Sequence, residues 1–249
     1  MVATTLCGIA SIYKGFHKYN EAININRKAM LIREVTEGEN SLGVAEIILS
    51  MGAIKEKQKL YDEAQSHYED ALRMYKMLHL NSPHADTAQT MMSLALVCKL
   101  QKKYGAAKEY YERALEMRQT LHPTAPHPDI AQAMNNLAAL LYSMHEYSEA
   151  KVLYEDSLEM LIELLGSENL DVAQAMNNLA ALLFAKKNHR EAEPLYEESL
   201  RIRRRLLGSD HLDVASSLCN LGILKRSLRL FDQAAEYFEE SLTIRMKIL

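Results

Sequence analysis

Paired amide side chains recur along this 249-residue chain. Asn135-Asn136 and Asn177-Asn178 are the pairs, and Asn220 stands at the equivalent place further on. A carboxamide both donates and accepts hydrogen bonds, so such a row could hold an extended peptide backbone without demanding its sequence. The positions fall off the apolar stripe of a predicted helix, so they face either solvent or a partner. For Asn135 and Asn177 an alternative stays open, a hydrogen bond to the neighbouring repeat that fixes the stacking angle.

The residue types that serve catalysis or metal binding are not spaced as in known catalytic or metal-binding motifs. The nine histidines are scattered, mostly near predicted inter-helix loops, where a structural or capping role is expected. The sequence contains no HExxH motif, no Cys-His cluster and no glycine-rich phosphate loop. The 13 methionines fall largely on apolar stripes, which is typical of core residues. We therefore predict a protein that is not an enzyme and that needs no cofactor and no metal.

Composition narrows the class of partner. With a formal net charge of −4, the chain lacks the basic surplus that nucleic acid or an anionic membrane surface requires. Its three cysteines are widely spaced and are predicted to be reduced thiols. No apolar run approaches the length that spans a bilayer. We expect a cytoplasmic protein with no nucleic-acid partner and no membrane insertion.

The elements that position the amides belong to a repeat. A small residue recurs at intervals of 42 or 43 residues, and an aromatic residue follows it after four residues in five of the six units. The small residues are Ala22, Ala64, Ala107, Ala150, Ala192 and Ala234, and the aromatic residues are Tyr68, Tyr111, Tyr154, Tyr196 and Phe238. A period of this length is typical of stacked-repeat proteins.

Within each unit the apolar period indicates two helices, A and B. In the fourth unit the break between them is predicted at His145-Glu146. Small residues in the middle of helix A are expected to let helix B approach closely, and the aromatic residue of helix B to fill the neighbouring gap. These small residues are Gly52, Ala95, Ala138, Ala180 and Gly222.

Helix ends and exposed faces also carry signals. Gly166 and Gly208 are available for a left-handed cap at the end of helix B. Pairs of opposite charge spaced by four residues, Glu69 with Arg73 and Glu197 with Arg201, are expected to support exposed faces of helix B.

The small–aromatic–small spacing on a helix pair resembles the tetratricopeptide repeat, although that repeat is usually 34 residues long. The 42-residue length, with the segments HPDIA, NNLA and EAEPLY and a Leu-Gly-acid connector, is similar to the repeats of kinesin light chains and nephrocystin-3-like proteins. The resemblance covers essentially the whole chain and is strongest over residues 127–249. The second and third units depart from it, with Leu49-Ser50 and Met92-Ser93 in place of Asn-Asn.

The resemblance implies an all-α, right-handed superhelical solenoid of six helix pairs, with the A helices lining a concave groove that binds a peptide. Carried over position by position, it places a row of mostly polar and aromatic side chains in that groove. They are Gln132, Asn135, Asn136, Tyr142, Gln174, Asn177, Asn178, Phe184, Asn220, Arg226 and Lys99. Lys99 and Arg226, with Lys186, Lys187 and Arg190, could favour an acidic peptide, and a solvated charged face explains them equally well.

We therefore predict one array over residues 1–249, with repeats at about 3–38, 43–81, 85–123, 128–166, 171–208 and 213–249. The predicted function is a scaffold or adaptor that binds a peptide segment of a cargo or signalling protein. The alternative is a regulatory array of a larger signalling protein, with its groove or ends used for intramolecular contact or self-association.

Overall fold

A computed structural model of the chain describes residues 2–124 and 126–248, and the described residues form α-helices joined by short loops, with no strand among them. The helices, in chain order, are α1 (Val2–Gly15), α2 (Tyr19–Glu37), α3 (Leu42–Lys57), α4 (Tyr61–Leu78), α5 (Ala85–Leu100), α6 (Tyr104–Leu121), α7 (Pro128–Ser143), α8 (Tyr147–Leu165), α9 (Leu170–Ala185), α10 (His189–Leu207), α11 (Leu212–Ser227) and α12 (Phe231–Ile248). The predicted all-α class and the A–B pairing are confirmed.

The chain divides into two compact units, residues 1–123 and residues 124–249. Each unit contains three consecutive helix pairs, and within each unit a helix packs against its pair partner and against the next pair. In both units the recurring alanine of helix B is buried, with at most 4% of its surface exposed, in keeping with a small residue at every repeat.

The predicted close approach of helix B to helix A is confirmed. A Cβ atom added at Gly52 would lie 2.6 Å from the Tyr68 ring, and one added at Gly222 would lie 2.8 Å from the Phe238 ring. Three further contacts hold the later pairs together, because Ser157, Ser199 and Ser241 donate hydrogen bonds to main-chain carbonyls of helix A at 2.7–2.8 Å. The serines are therefore small residues that also fix the helix spacing.

The start of each later A helix is capped by a side chain. The Nδ1 atoms of His84, His127 and His211 each accept a hydrogen bond from a main-chain N–H two residues on, and Asn169 does the same through its side-chain oxygen. Such caps satisfy one of the N–H groups that a helix start leaves without a partner. The capping role predicted for the histidines is thus observed at three of them.

The turn between helices A and B has the same backbone in every unit. One residue at each turn has φ between 60° and 64°, namely His17, Lys59, Lys102, His145, Lys187 and Arg229. The following N–H bonds back across five residues to helix A, for example from Glu146 to the Leu141 carbonyl at 2.9 Å. The left-handed cap therefore closes helix A on residues other than glycine.

Helix B ends differently. Gly38, Gly166 and Gly208 have φ of 91°, 76° and 81° and ψ of 156°, 165° and 164°. The left-handed cap predicted at Gly166 and Gly208 is therefore wrong in ψ, although φ is positive there. That combination is open to glycine almost alone, so these positions constrain the sequence more strongly than an ordinary left-handed cap.

The predicted four-residue ion pairs are wrong. Arg73 pairs with Asp70 at 2.5 Å instead of with Glu69. Arg201 pairs with Glu198 at 2.6 Å and also with Glu168, which lies in the preceding inter-repeat loop. On an exposed face several carboxylates lie within reach of one guanidinium, and the spacing alone does not select among them.

Candidate functional site

The predicted asparagine row forms a ladder between neighbouring A helices. In residues 124–249, Asn178 Nδ2 donates to Asn135 Oδ1 at 3.0 Å, and Asn220 Nδ2 donates to Asn177 Oδ1 at 2.9 Å. Gln174 Nε2 donates to Asn178 Oδ1 at 2.8 Å and extends the ladder along α9. The inter-repeat bond that was the alternative for Asn135 and Asn177 is therefore present.

The ladder leaves hydrogen-bonding capacity at its surface. A carboxamide offers two N–H donors and two acceptor lone pairs, and each of these bonds uses one site on each side chain. The paired asparagines are half-buried, while Gln132 and Gln174 are exposed. The row can therefore fix the stacking of α7, α9 and α11 and still present amide groups to a peptide.

The two predicted aromatic positions lie near the ends of their A helices. Tyr142 and Phe184 are both half-buried, and each contacts an aromatic side chain from the start of its own helix B. Tyr142 packs on Tyr147 with ring centroids 5.7 Å apart, and Phe184 packs on His189 at 5.2 Å. Part of each ring remains accessible beside the amide row.

The two predicted basic positions differ in environment. Arg226 is exposed on the last turn of α11. Lys99 is half-buried on α5, in residues 1–123, where burial lowers the pKa of its ammonium group. Arg226 and Lys99 belong to different compact units of the chain.

A second repeated constellation was not predicted from the sequence. An arginine of helix B bonds to a polar side chain in the second turn of its own helix A. Arg118 Nη2 donates to Gln89 Oε1 at 2.8 Å, and Arg203 Nη2 donates to Gln174 Oε1 at 2.5 Å. Arg245 Nη2 lies 3.3 Å from the Ser216 hydroxyl in the last unit. The signal was present, since Arg33, Arg118, Arg203 and Arg245 share the 42–43-residue register.

Arg203 makes the largest set of hydrogen bonds of this kind, and the groups that bind its guanidinium are called the socket. Besides Gln174, its Nη1 atom donates to the Ser217 hydroxyl at 2.7 Å and to the Asp213 main-chain carbonyl at 3.3 Å, both in the next helix pair. The side chain is buried, with 5% of the residue exposed. Burial lowers the pKa of its guanidinium group, and the nearby Asp213 carboxylate opposes that effect. The socket is thus a built site for a buried guanidinium.

In the fourth unit this register position is Leu161, and a cavity of about 370 Å³ opens beside it. Four of the predicted groove residues line the cavity, namely Gln132, Asn135, Asn136 and Gln174. Two carboxylates at helix starts, Asp129 and Asp171, border it as well. The predicted amide row therefore leads into an acidic pocket at the start of the A helices.

The histidine cluster nearest to metal-binding geometry in residues 1–123 contains His79, His84 and Asp86, whose ligand atoms lie within 4.8 Å of one another. The two imidazole rings are stacked, with centroids 3.5 Å apart and planes 11° apart. A ring nitrogen binds a metal in the plane of its own ring, so two parallel rings do not converge on one ion. The cluster serves instead to cap α5 and to cover His79, whose pKa is lowered by burial and by the neighbouring His84.

Helix pairs of this length, packed in register and with the small–aromatic pattern in five of the six, define a helical-repeat protein. A sequence profile of the tetratricopeptide repeat family matches residues 1–77, 46–120 and 171–247, and a second profile of that family matches residues 130–171. The chain belongs to the tetratricopeptide repeat family. No curated protein sequence matches the chain significantly.

Solved structures share the fold at low sequence identity. BtubC (BKLC) from P. vanneervenii is 21% identical, with a TM-score of 0.75 over 100% of this chain and 92% of that chain. A kinesin-light-chain-like protein of Podosopora anserina with nearly identical repeats is 18% identical, with a TM-score of 0.69 over 81% of this chain and 95% of that one. The apo form of RapI is 14% identical, with a TM-score of 0.71 over 100% and 99% of the two chains.

The resemblance to kinesin light chain repeats is thereby confirmed for the fold. Tetratricopeptide repeats support protein-interaction scaffolds in general, and members of the family are typically non-catalytic. Among the described residues, no helix has the length and apolar character needed to cross a membrane.

Proposed function

We propose that this protein is a scaffold that binds a peptide segment of a partner along the A helices of residues 124–249. The observation that carries the proposal is the amide ladder across α7, α9 and α11, whose side chains are only half-buried and keep donors and acceptors available. Amides recognise the main chain of a ligand, and the partly exposed rings of Tyr142 and Phe184 add apolar contact beside them.

The test must block the surface without breaking the ladder. Ala139 and Ala181 are half-buried on α7 and α9, one helical turn beyond the asparagines. The double variant Ala139→Arg, Ala181→Arg adds bulk on that face and leaves every asparagine in place. Val152→Arg is the matched control, because Val152 is 56% exposed on helix α8.

The assay is selection of 15-residue peptides from a displayed random library on the native chain, followed by affinity measurement on the variants. The double variant is expected to bind the selected peptides at least about tenfold more weakly, which corresponds to a loss of about 1.4 kcal/mol. Val152→Arg should bind them as the native chain does. Unchanged binding by the double variant would place the peptide site elsewhere and contradict the proposal.

A second candidate function, self-association, is favoured by a separate observation on α12. Phe231, Leu242 and Met246 are large apolar residues that are 63%, 57% and 67% exposed. Leu242 and Met246, four residues apart, lie on one face of α12, and exposed apolar patches mark interaction surfaces. Sedimentation between about 1 and 100 µM should show reversible self-association that Leu242→Glu, Met246→Lys abolishes, and a constant monomeric mass would exclude it.

A further inference from the structure

We propose that a cavity in residues 1–123 binds a phosphate monoester group through Thr87 on α5 and Lys76 on α4. The cavity has a volume of about 330 Å³ and lies between the end of α4, the start of α5 and helix α6. It is distinct from the peptide surface proposed for residues 124–249, so this site goes beyond the function proposed above. A hydroxyl group that the fold leaves unused is the first evidence for it.

Thr87 is a lining residue that the repeat pattern does not explain. It is the third residue of α5, and the equivalent position in each of the other five units holds valine or isoleucine. These residues are Val2, Val44, Ile130, Val172 and Val214. Only 2% of Thr87 is exposed, and its Oγ1 atom has no hydrogen-bond partner among the described residues. A buried hydroxyl without a partner is unfavourable, because it has given up its hydrogen bonds to water. Thr87 therefore places an unused donor and acceptor at the wall of the cavity.

The charge of the lining suits an anion. Lys76 is half-buried in the last turn of α4, and its ammonium group forms no ion pair or hydrogen bond with the residues that the structure describes. Arg113 of α6 also lines the cavity, and its ion pair with Glu109 at 3.1 Å uses only one of the five N–H donors that a guanidinium carries. Glu116 is the one carboxylate among the lining residues, so the two cationic side chains outweigh it.

The donors come from separate elements of the fold, which suits a tetrahedral group better than a planar one. The Asn81 amide and the Ser82 hydroxyl, in the loop between α4 and α5, are exposed and line the same cavity. A phosphate monoester carries a charge of about −1.5 to −2 at pH 7 and three strong acceptor oxygens, whereas a carboxylate has two oxygens and a single charge. A lysine ammonium binds a phosphate as a point charge, without demanding one fixed geometry. The lining therefore favours a phosphate group over a carboxylate.

The cavity also has room for part of the molecule that carries the phosphate. Its volume lies within the range of small-ligand sites. Pro83, Met91 and Met117 give it an apolar part, against which the carbon atoms next to the ester oxygen can pack. A phosphorylated protein side chain and a small phosphorylated metabolite offer the same chemistry at this site, and the experiment compares the two.

The experiment titrates two phosphate monoesters into the full chain, Nα-acetyl-O-phospho-L-serine methylamide and glycerol 3-phosphate. The matched probe is Nα-acetyl-L-aspartic acid α-methylamide, which carries a carboxylate in place of the phosphate. Backbone amide signals are followed by NMR at constant ionic strength, since salt screens contacts between exposed charges. Both phosphates are expected to shift the signals of Ser82 and Thr87, with a dissociation constant on the order of 1 mM for ligands of this size. The aspartate probe should bind at least about fivefold more weakly. The tighter of the two phosphates identifies the source of the group.

Three variants locate the effect. Thr87→Val gives α5 the residue that three other units carry there, and it should weaken phosphate binding about three- to tenfold. The same variant should raise the melting temperature by roughly 2–6 °C, because the unpartnered hydroxyl is gone. Lys76→Met keeps the apolar stem, removes the charge and should weaken binding about fivefold. Lys28→Met is the matched control, because Lys28 is exposed on α2 and does not line the cavity, and this variant should bind as the native chain does. Circular dichroism checks that each variant is folded.

Unchanged affinity in Thr87→Val or in Lys76→Met would overturn the inference, as would an equal loss in Lys28→Met, which would assign binding to the net charge of the chain. It would also be overturned by an aspartate probe that binds as tightly as the phosphates, or by the absence of shifts up to about 20 mM phosphate probe, well above the expected dissociation constant. A melting temperature of Thr87→Val below that of the native chain would show that the hydroxyl is bonded within the fold and would remove the basis of the site. The displayed-peptide assay tests residues 124–249, so the groove and this cavity stand or fall separately.

Discussion

The substitution Gly52→Ala is expected to destabilise the protein although it improves helix propensity. Gly52 lies in the middle of α3, and an added Cβ would stand 2.6 Å from both Cδ1 and Cε1 of Tyr68. Tyr68 has little freedom to move, because it is 2% exposed and its hydroxyl donates to Glu56 Oε2 at 2.9 Å. The helix pair must therefore shift, or the ring must leave its place.

The magnitude follows from two opposing effects. Overpacking a core by one methyl group typically costs about 1–3 kcal/mol, and replacing glycine by alanine within a helix contributes about 0.5–1 kcal/mol of stability. The net loss lies between about 0 and 2.5 kcal/mol, or a melting temperature lowered by up to roughly 10 °C for a chain of this size. The lower half is favoured, because three other units place alanine against tyrosine at this position, at Ala95, Ala138 and Ala180.

Gly105→Ala is the matched control. Gly105 lies in the first turn of α6, and no atom lies within 4 Å of an added Cβ, so the same chemical change should stabilise by about 0.5 kcal/mol. Both variants are measured by urea unfolding followed by circular dichroism, with and without Tyr68→Leu. Gly52→Ala should lose its destabilising effect in the Tyr68→Leu background. A Gly52→Ala protein as stable as the Gly105→Ala protein, or an equal loss in both backgrounds, would refute the reasoning.

Three further predictions concern stability. Asn178→Ala removes two hydrogen bonds of the ladder and should lower the unfolding free energy by about 1–2 kcal/mol in urea titration. An unchanged unfolding free energy would show that the ladder does not contribute to stability. Gly166→Ala, at φ 76° and ψ 165°, should cost about 1–3 kcal/mol in the same assay, whereas an unchanged midpoint would show that the loop relaxes. Burial lowers the pKa of His67 and of His79, so unfolded chains bind protons more readily and stability should fall as pH drops below about 6.5. His67→Gln, His79→Gln should flatten that decline between pH 7.5 and 5.5, and an unaltered slope would assign it to other groups.

Much of the architecture was predictable because it is periodic. The small residue and the aromatic residue of helix B follow from contacts that every pair must make, so each repeat reports the same constraint again. The break at His145-Glu146 was predicted, and the turn lies there. Its backbone was not, since the same positive φ is adopted at the equivalent turns by Lys59, Lys102, Lys187 and Arg229, residue types with no special preference for it. The repeated hydrogen bond to helix A enforces this conformation, and a hydrogen bond of that kind leaves no mark in the residue types.

The site was predictable only in part. The sequence indicated a hydrogen-bonding role for the amide of Asn178. Its bond to Asn135, 43 residues earlier, depends on how two separate helices align. The ion pairs of Arg73 and Arg201 failed for the opposite reason, because several partners are close together and small differences in side-chain geometry decide among them. Contacts between repeats and contacts on exposed faces both lie beyond what spacing along one helix can determine.

Departures from the repeat carry the information that the repeat itself cannot. The arginine of helix B is present in four of the six units, and in each of them it bonds to helix A of its own pair. Two units replace it, the second with Tyr75 and the fourth with Leu161. Leu161, with only 9% of its surface exposed, looks like one more core residue in the sequence, and the structure places it in the lining of a cavity. A departure from the repeat therefore marks a place where the local contacts differ, which the repeat pattern alone does not report.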